Sequence, residues 1–360
     1  MNSRQNLPQA VVVTGAAGFI GSTLIAKLLS TTDLHVIGID NFHSFYNRNL
    51  KEQNLEAFKS NKKFSFYESC FSNVDLWLKL NRNFKIRTVI HFAAFAGVRP
   101  SLEDPQGYYM NNVVKTLALL DLMRDLYIEE LIFTSSSSVY GGNKIMPFNE
   151  EHKVDSPVSP YAATKKAGEE IIYTYCHLYG MKAVALRLFT VFGPKQRPDL
   201  AIRKFMVNIM DDQPITLFGN GSSRRDYTFV SDIVDGYLAS LYLLPTFAPG
   251  KLEVMNRGGG RAISLLQMDN TVEHVLGKKA TVQFEERHPA DVEVTLADIS
   301  KAEKILHYNP KVGFGEGVEE LYGWLINNQL AMENFRSMEA SKQTASPLRL
   351  LTQITRNWNV

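Results

Sequence analysis

The 360-residue chain is 45% hydrophobic and 21% charged with a formal net charge of +2, the profile of an ordinary globular protein with material for a large core and two lobes. That balance gives no electrostatic reason for a nucleic-acid or membrane partner, and the only cysteines, Cys70 and Cys176, lack metal-type spacing, which argues for a reducing compartment without disulfides or metal. No apolar run reaches membrane-span length and the first ten residues lack an apolar signal core, so a cytoplasmic protein with a frayed start is expected.

Residues 10–13, AVVV, read as a buried strand that breaks into TGAAGFIG before a helical pattern from Phe19 to Leu29. Without Cβ atoms, Gly15, Gly18 and Gly21 let the chain turn tightly, admit a pyrophosphate to the backbone amides and seat the helix that opens with Phe19 and Ile20. A glycine trio alone also fits a plain tight turn. The next strand, HVIGID, ends in Asp40, 19 residues after Gly21, where an acidic residue meets adenosine ribose hydroxyls. Its charge would repel a 2′-phosphate, so NAD is expected rather than NADP. Asn41 follows it in the same wall.

Further strands are expected at 64–69, 88–96, 131–140 and 182–193, with helical segments between them. This alternation predicts an α/β fold with a doubly wound parallel sheet, and such sheets bind ligands at the carboxyl ends of their strands. Two of those ends are Ala93 to Gly97 and Thr134 to Ser138. His91, inside an apolar strand, reads as a satisfied core residue. The segments 105–127 and 161–178 have a helical apolar period, and their stripes either face the sheet or pair with their copies in a homodimer.

The stretch FTSSSSVYGGNKIMPFNEEHKVDSPVSPYAATKK (133–166) places three reactive groups at useful spacings. Ser136 precedes Tyr161 by 25 residues, and Lys165 follows Tyr161 at i+4, which on a helix stacks the ammonium and the phenol on one face. A free phenol titrates near pH 10, so a tyrosine base at neutral pH needs about 4 kcal/mol of anion stabilisation. A nearby lysine and a cationic cofactor ring together supply it. A bare Tyr-x-x-x-Lys is common on helices, and the rest of the chain gives this one its meaning.

TGAAGFIG, Asp40, HFAA (91–94), the serine cluster before VYG, and YAATK together resemble the extended short-chain dehydrogenase/reductase family, specifically its nucleotide-sugar epimerases and dehydratases, over residues 10–328. The resemblance implies a Rossmann domain that holds NAD, with Tyr161 as base, Lys165 on the nicotinamide ribose and Ser136 sharing the substrate hydroxyl proton. It also implies an asparagine near the cofactor, here Asn112, and contacts from Ala93. Departures from the family pattern are Cys70, where an aspartate for the adenine amino group is frequent, and Lys115 and Ala118.

Within the family, elimination enzymes carry an acidic residue just before VYG. Here Ser137 and Ser138 stand there, so oxidation and re-reduction without elimination is expected, with Ser137 among the substrate contacts. The segment RLFTVFGPKQRPDLA (187–201) resembles that of UDP-glucuronate 4-epimerases, and Thr190 and Arg197 suit a C6 carboxylate, the arginine as a two-pronged donor. The loop DNFHSFYNRNLK (40–51) has the same likeness. ITLFGNGSSRRDYTFVSDIVDG (215–236) resembles the nucleotide-diphosphate segment, placing Leu217 and Phe218 beside uracil and Arg225 on the diphosphate, with Arg224 facing solvent. Arg287, followed by His288 where an arginine is usual, is a further diphosphate candidate.

The resulting expectation is 4-epimerisation of a UDP-sugar, UDP-glucuronate to UDP-galacturonate, with NAD regenerated in each cycle. UDP-glucose or UDP-N-acetylglucosamine as substrate, and a non-catalytic binding protein on the same fold, are the alternatives. Residues 1–188 are expected to form the NAD-binding domain, 189–330 a smaller α/β substrate lobe, and 331–360 an extension. In that extension Leu348, Leu350, Leu351 and Ile354 either make one helical apolar face or belong to a poorly ordered tail.

Overall fold

A computed structural model describes residues 7–286 and 292–344. The first half alternates strand and helix: β1 (Gln9–Thr14), α1 (Phe19–Thr31), β2 (His35–Asp40), α2 (Arg48–Glu56), β3 (Phe64–Glu68), α3 (Val74–Asn83) and β4 (Lys85–His91). Two short helices, α4 (Val98–Glu103) and α5 (Pro105–Tyr109), lead through a π-helical turn (Met110–Val114) into α6 (Lys115–Asp125). Then come β5 (Glu130–Ser136), α7 (Pro160–Tyr179) and β6 (Lys182–Leu188).

The second half contributes β7 (Thr190–Phe192), α8 (Ala201–Met210), β8 (Ile215–Phe218), β9 (Arg224–Phe229), α9 (Val230–Leu243) and β10 (Leu252–Arg257). It continues with β11 (Ala262–Ser264), α10 (Leu265–Leu276), β12 (Val282–Glu285), α11 (Ser300–Leu306), α12 (Phe314–Ile326) and α13 (Gln329–Thr344).

Seven parallel strands form the main sheet in the order β10-β6-β5-β4-β1-β2-β3. Every strand here is covered on both sides, which explains the unbroken apolar run of β1. Val11 and Val13 pack on the side of Leu24, Ile25 and Leu28 from α1, while Ala10 and Val12 pack with Leu119, Leu120 and Ile172 on the other. The strand order reverses where β1 lies between β2 and β4, and the crevice opens at that switch. His91 is a satisfied core residue: Nδ1 lies 2.7 Å from Thr14 Oγ1 and Nε2 lies 3.2 Å from Thr116 Oγ1. Burial pushes its pKa down to about 3, so it stays neutral.

Three expected strands end early. The strand expected at 88–96 stops at His91, since the Phe92 and Ala93 amides turn to the Thr14 carbonyl and hydroxyl. The one at 131–140 stops at Ser136, whose hydroxyl accepts from Ser138 N (3.2 Å) and caps a single 3₁₀ turn. The one at 182–193 breaks at Phe189, after which β7 joins a separate three-stranded sheet, β11-β9-β7. The chain also returns across residue 188: β10 completes the main sheet beside β6, so the nucleotide lobe draws on both halves of the sequence.

The start of the extension is part of the body. Ala331, Met332 and Phe335 are buried in the main core, Asn328 Nδ2 donates to Gln53 Oε1 on α2 (3.1 Å), and Arg336 grips Asp211 after α8 (2.6 and 2.7 Å). The buried Arg203 guanidinium donates at once to the carbonyls of Gln196 (2.7 Å) and Ala331 (2.6 Å). Leu348, Leu350, Leu351 and Ile354 lie outside the described residues. Among the described residues no helix is long and apolar enough to cross a membrane, and no cluster of histidine, cysteine or acidic side chains could hold a metal.

Candidate active site

A cavity of about 560 Å³ opens at the carboxyl ends of the main-sheet strands and reaches into the smaller lobe. Its floor is the glycine turn. Gly15 has φ +71°, and a Cβ there would stand 2.8 Å from Ala93 N; a Cβ on Gly21 would stand 2.3 Å from the Gly15 carbonyl oxygen. The close approach therefore requires glycine at both positions. Helix α1 begins after Gly18 with no side chain capping its free amides, which leaves a concave anion site lined by Gly18, Phe19, Ile20 and Gly21. A Gly21→Ala variant is expected to melt lower by the equivalent of about 1–3 kcal/mol, since backbone must move to admit the methyl. Titration with NAD should show at least a tenfold loss of affinity, as the same carbonyl shapes the turn.

Asp40 stands at the end of β2, its Oδ2 accepting from Ala17 N (3.1 Å) and its Oδ1 from Phe42 N (2.8 Å). Burial raises its pKa; those two amides and the Lys51 ammonium act in the opposite sense. Lys51 itself donates to the His43 carbonyl and lies 4.5 Å from the Tyr46 ring, so the loop after β2 is folded over its own cation. Asn41 lines the cavity, and its Oδ1 accepts from His43 N (3.2 Å). This cradle fits a dinucleotide: uncapped helix amides for the pyrophosphate and a half-buried carboxylate for a ribose. Cys70 is half-buried just past β3, its Sγ 3.2 Å from Ser72 Oγ.

Tyr161 and Lys165 sit in the first two turns of α7, which starts with Ser159 accepting from Ala162 N (3.1 Å) and Pro160 in the first helical position. The Ser136 hydroxyl acts on the Tyr161 phenol while donating to Ser138 Oγ (3.2 Å), and the edge of the Tyr108 ring approaches the phenol with centroids 6.3 Å apart. The Lys165 ammonium donates to the Thr134 carbonyl (2.7 Å) and lies 6.0 Å from the Tyr161 ring centroid. Burial raises the phenol pKa, opposed by Ser136 and by the Arg197 charge. Burial also pulls Lys165 down to about 7, with Glu169 opposing. The protein's own groups therefore favour a protonated phenol, and further positive charge is needed to make it a base.

Ser137, Thr190, Arg197 and Arg225 line the same cavity, with Val292 and Thr295 beyond them. Arg197 makes a two-pronged pair with Asp199 (2.9 and 2.8 Å) and lies 4.9 Å from the Phe45 ring. Its charge is felt at Tyr161, with which it shares the cavity. Arg225 Nη1 donates to the Arg224 carbonyl (2.9 Å), while the Arg224 side chain faces solvent as strand alternation requires.

Residues 12–321 match the family described as GDP-mannose 4,6 dehydratase. The chain belongs to this extended short-chain dehydrogenase/reductase family. The UDP-glucuronate 4-epimerase of Thermodesulfobacterium geofontis is 42% identical over 318 residues, covering 88% of this chain and 96% of that protein. A UDP-glucuronic acid 4-epimerase from Bacillus cereus, solved with UDP-glucuronic acid and NAD, superposes with a TM-score of 0.83 at 37% identity, covering 89% and 99% of the two chains. A UDP-N-acetylglucosamine 4-epimerase from Methanobrevibacter ruminantium gives 0.80 at 30% identity, covering 89% and 99%.

Three expected contacts of this extended short-chain dehydrogenase/reductase sit elsewhere than on the cavity wall. Asn112 is buried and its amide is fully engaged: Oδ1 accepts from Phe95 N (2.8 Å) while Nδ2 donates to Phe95 O (2.9 Å) and Thr164 Oγ1 (3.2 Å). It shapes the turn after β4 against α7, and the neighbouring Asn111 lines the cavity instead. Leu217 points into the core, as alternation along β8 dictates, and Phe218 lies under the Arg99 guanidinium at 4.2 Å. Arg287 falls outside the described residues. Sequence reasoning passed over His43, Phe45, Tyr46 and Asn111, loop and turn residues with no periodic signal. It also passed over Glu169 and Arg187, whose pairing only the packing of α7 on β6 reveals.

Proposed function

We propose that the protein is an NAD-dependent epimerase that inverts C4 of UDP-glucuronate to give UDP-galacturonate. The observation that carries this reading is that Arg197 and Thr190 share one cavity with Tyr161, Ser136 and Lys165. A guanidinium there is suited to a carboxylate of the sugar that the phenol addresses. Gly15, Gly18, Phe19, Ile20, Gly21, Asp40, Asn41 and Ala93 would hold the dinucleotide, with Asn112 supporting from behind the turn. Arg225, Arg287 and Phe218 would hold the nucleoside diphosphate, with Leu217 giving backbone alone.

Bound NAD supplies a hydride acceptor and donor together with the positive ring that favours phenolate. Tyr161 takes the proton of the C4 hydroxyl and returns it after the hydride has come back to the opposite face. Ser136 holds that oxygen in line, and Lys165 steadies the anion. Ser137 and Ser138 offer no carboxylic acid for an elimination, so the sugar keeps its oxygen substituents. The test is incubation with UDP-glucuronate and catalytic NAD, following the sugar C4 proton couplings by NMR. Product of inverted C4 with no net NADH accumulation is expected.

A neutral UDP-sugar is the second reading, favoured by the Asp199 pair that already neutralises Arg197. Side-by-side turnover of UDP-glucuronate, UDP-glucose and UDP-N-acetylglucosamine separates the two. We also place the protein in the cytoplasm, in keeping with unpaired Cys70 and Cys176. It is proposed to act as a homodimer through the helical run from the end of α5 into α6 together with α7, where Tyr109, Met110, Val114, Leu117 and Tyr173 are exposed apolar groups, Met110 and Tyr173 at 54% and 58%. Sedimentation should give twice the 40.6 kDa chain mass, and the double Met110→Glu, Tyr173→Glu variant should run as single chains.

A further inference from the structure

Behind the catalytic face lies an ion pair that the reaction itself does not touch. Glu169 and Arg187 are each 3% exposed. Arg187 Nε donates to Glu169 Oε1 (2.9 Å) and Nη2 to Oε2 (2.8 Å), while Ser135 Oγ donates to Oε1 (2.6 Å). Ser135 and Arg187 are direct cross-strand partners on β5 and β6, so one carboxylate from α7 closes a three-element clamp. A fully buried pair of this kind contributes little more to stability than an apolar replacement of the same shape. Its position says more than its strength.

Ser135 is the residue between Thr134, whose carbonyl receives the Lys165 ammonium, and Ser136, which lines the cavity with Tyr161. Glu169 follows Lys165 by one helical turn, as Lys165 follows Tyr161. We propose that Glu169 is a positioning residue: held by Arg187, it pins the strand end that carries Thr134 and Ser136 and supplies the counter-charge one turn behind Lys165. This rests on the reading of Tyr161 and Lys165 as the working pair.

Other charged and titratable groups face the cluster from each packed element. Lys166 on α7 lies 3.8 Å from Glu169 Oε2 but is turned to Glu170 (2.5 Å). Tyr140, after β5, accepts from Arg187 Nη1 (3.2 Å) and donates to Asn256 on β10 (2.7 Å). Tyr237 on α9 meets the Thr134 hydroxyl (2.6 Å). His91 on β4 stays neutral beside Lys165, and Arg197 and Tyr108 face Tyr161 from the cavity side. Glu169 is the negative charge that raises the Lys165 pKa against its burial.

Removing that charge makes the ammonium easier to deprotonate, so the phenol becomes a weaker acid and the acidic limb of the rate profile moves to higher pH. Glu169→Gln is expected to lower kcat roughly tenfold at neutral pH, with KM within about threefold of the parent and the limb shifted up by about half a pH unit or more. Because Glu169→Gln strands a buried guanidinium, the double Glu169→Gln, Arg187→Met variant removes the pair as a unit. If the pair is purely structural, the double variant regains both stability and the parent profile. On the proposal it regains stability and keeps the shift.

The phenol is also read without turnover, as the tyrosinate absorbance lost on Tyr161→Phe, with Glu169 intact and with Glu169→Gln. A later titration of Tyr161 in the Glu169→Gln background is expected. An unchanged titration, or a folded double variant with the parent profile, overturns the proposal. A parent protein that leaves UDP-sugars unchanged would overturn the functional reading, while the absorbance difference would still decide the role of Glu169.

Discussion

Tyr161→Phe is expected to lower epimerisation by about 10³-fold or more while leaving the fold and the NAD site in place, since a positioned base contributes about 10²–10⁴-fold. The ring keeps its packing beside Tyr108, and the glycine turn more than one hundred residues earlier is untouched. Only the phenol hydroxyl is lost. NMR turnover of UDP-glucuronate and an NAD titration measure the two halves. Retained turnover would remove Tyr161 from the chemistry, whereas lost NAD affinity would show that the substitution had disturbed more than the proton.

Arg197→Ala is expected to raise KM for UDP-glucuronate by about 10- to 100-fold, the worth of about 1.5–3 kcal/mol in charge-assisted hydrogen bonds. The change also takes from Asp199 the guanidinium that offsets its charge, which adds repulsion of the sugar carboxylate to lost attraction. UDP-glucose, without that carboxylate, should be affected far less. Fidelity should fall with affinity. Oxidised at C4, the acid becomes a β-keto acid that loses carbon dioxide when the breaking bond aligns with the carbonyl π system. A carboxylate no longer gripped reaches that alignment, and a UDP-pentose should appear in the product mixture. Unchanged KM and a clean product would leave Arg197 without a part in substrate recognition.

Much of this arrangement was legible because the nucleotide half of the chain is locally consistent. An apolar strand, three glycines at fixed steps and an acidic strand end each state their geometry in the sequence, and Gly15, Gly21 and Asp40 occupy the places that reading assigns. Strand ends were less legible, because the apolar residues of Phe92–Gly97 face the cavity, and Val139 and Tyr140 pack with Phe148 and Phe189, instead of extending a strand. Asn112 shows a different limit. An asparagine three residues along a helix can reach either a ligand or a loop, and the π-helical turn at Met110–Val114 turned it toward Phe95. The return of β10 to the main sheet was not visible, since nothing in a six-residue strand names its partner across 64 positions.

The Arg203 guanidinium that bridges Gln196 and Ala331 has a practical consequence for anyone trimming the gene. Cutting the protein back to the last family-matched position, 321, would delete one of the two acceptors on a side chain whose Nε has no hydrogen-bond partner among the described residues. The other acceptor is the peptide immediately ahead of Arg197. A shortened version should therefore be judged by its discrimination between acidic and neutral sugars as well as by its solubility.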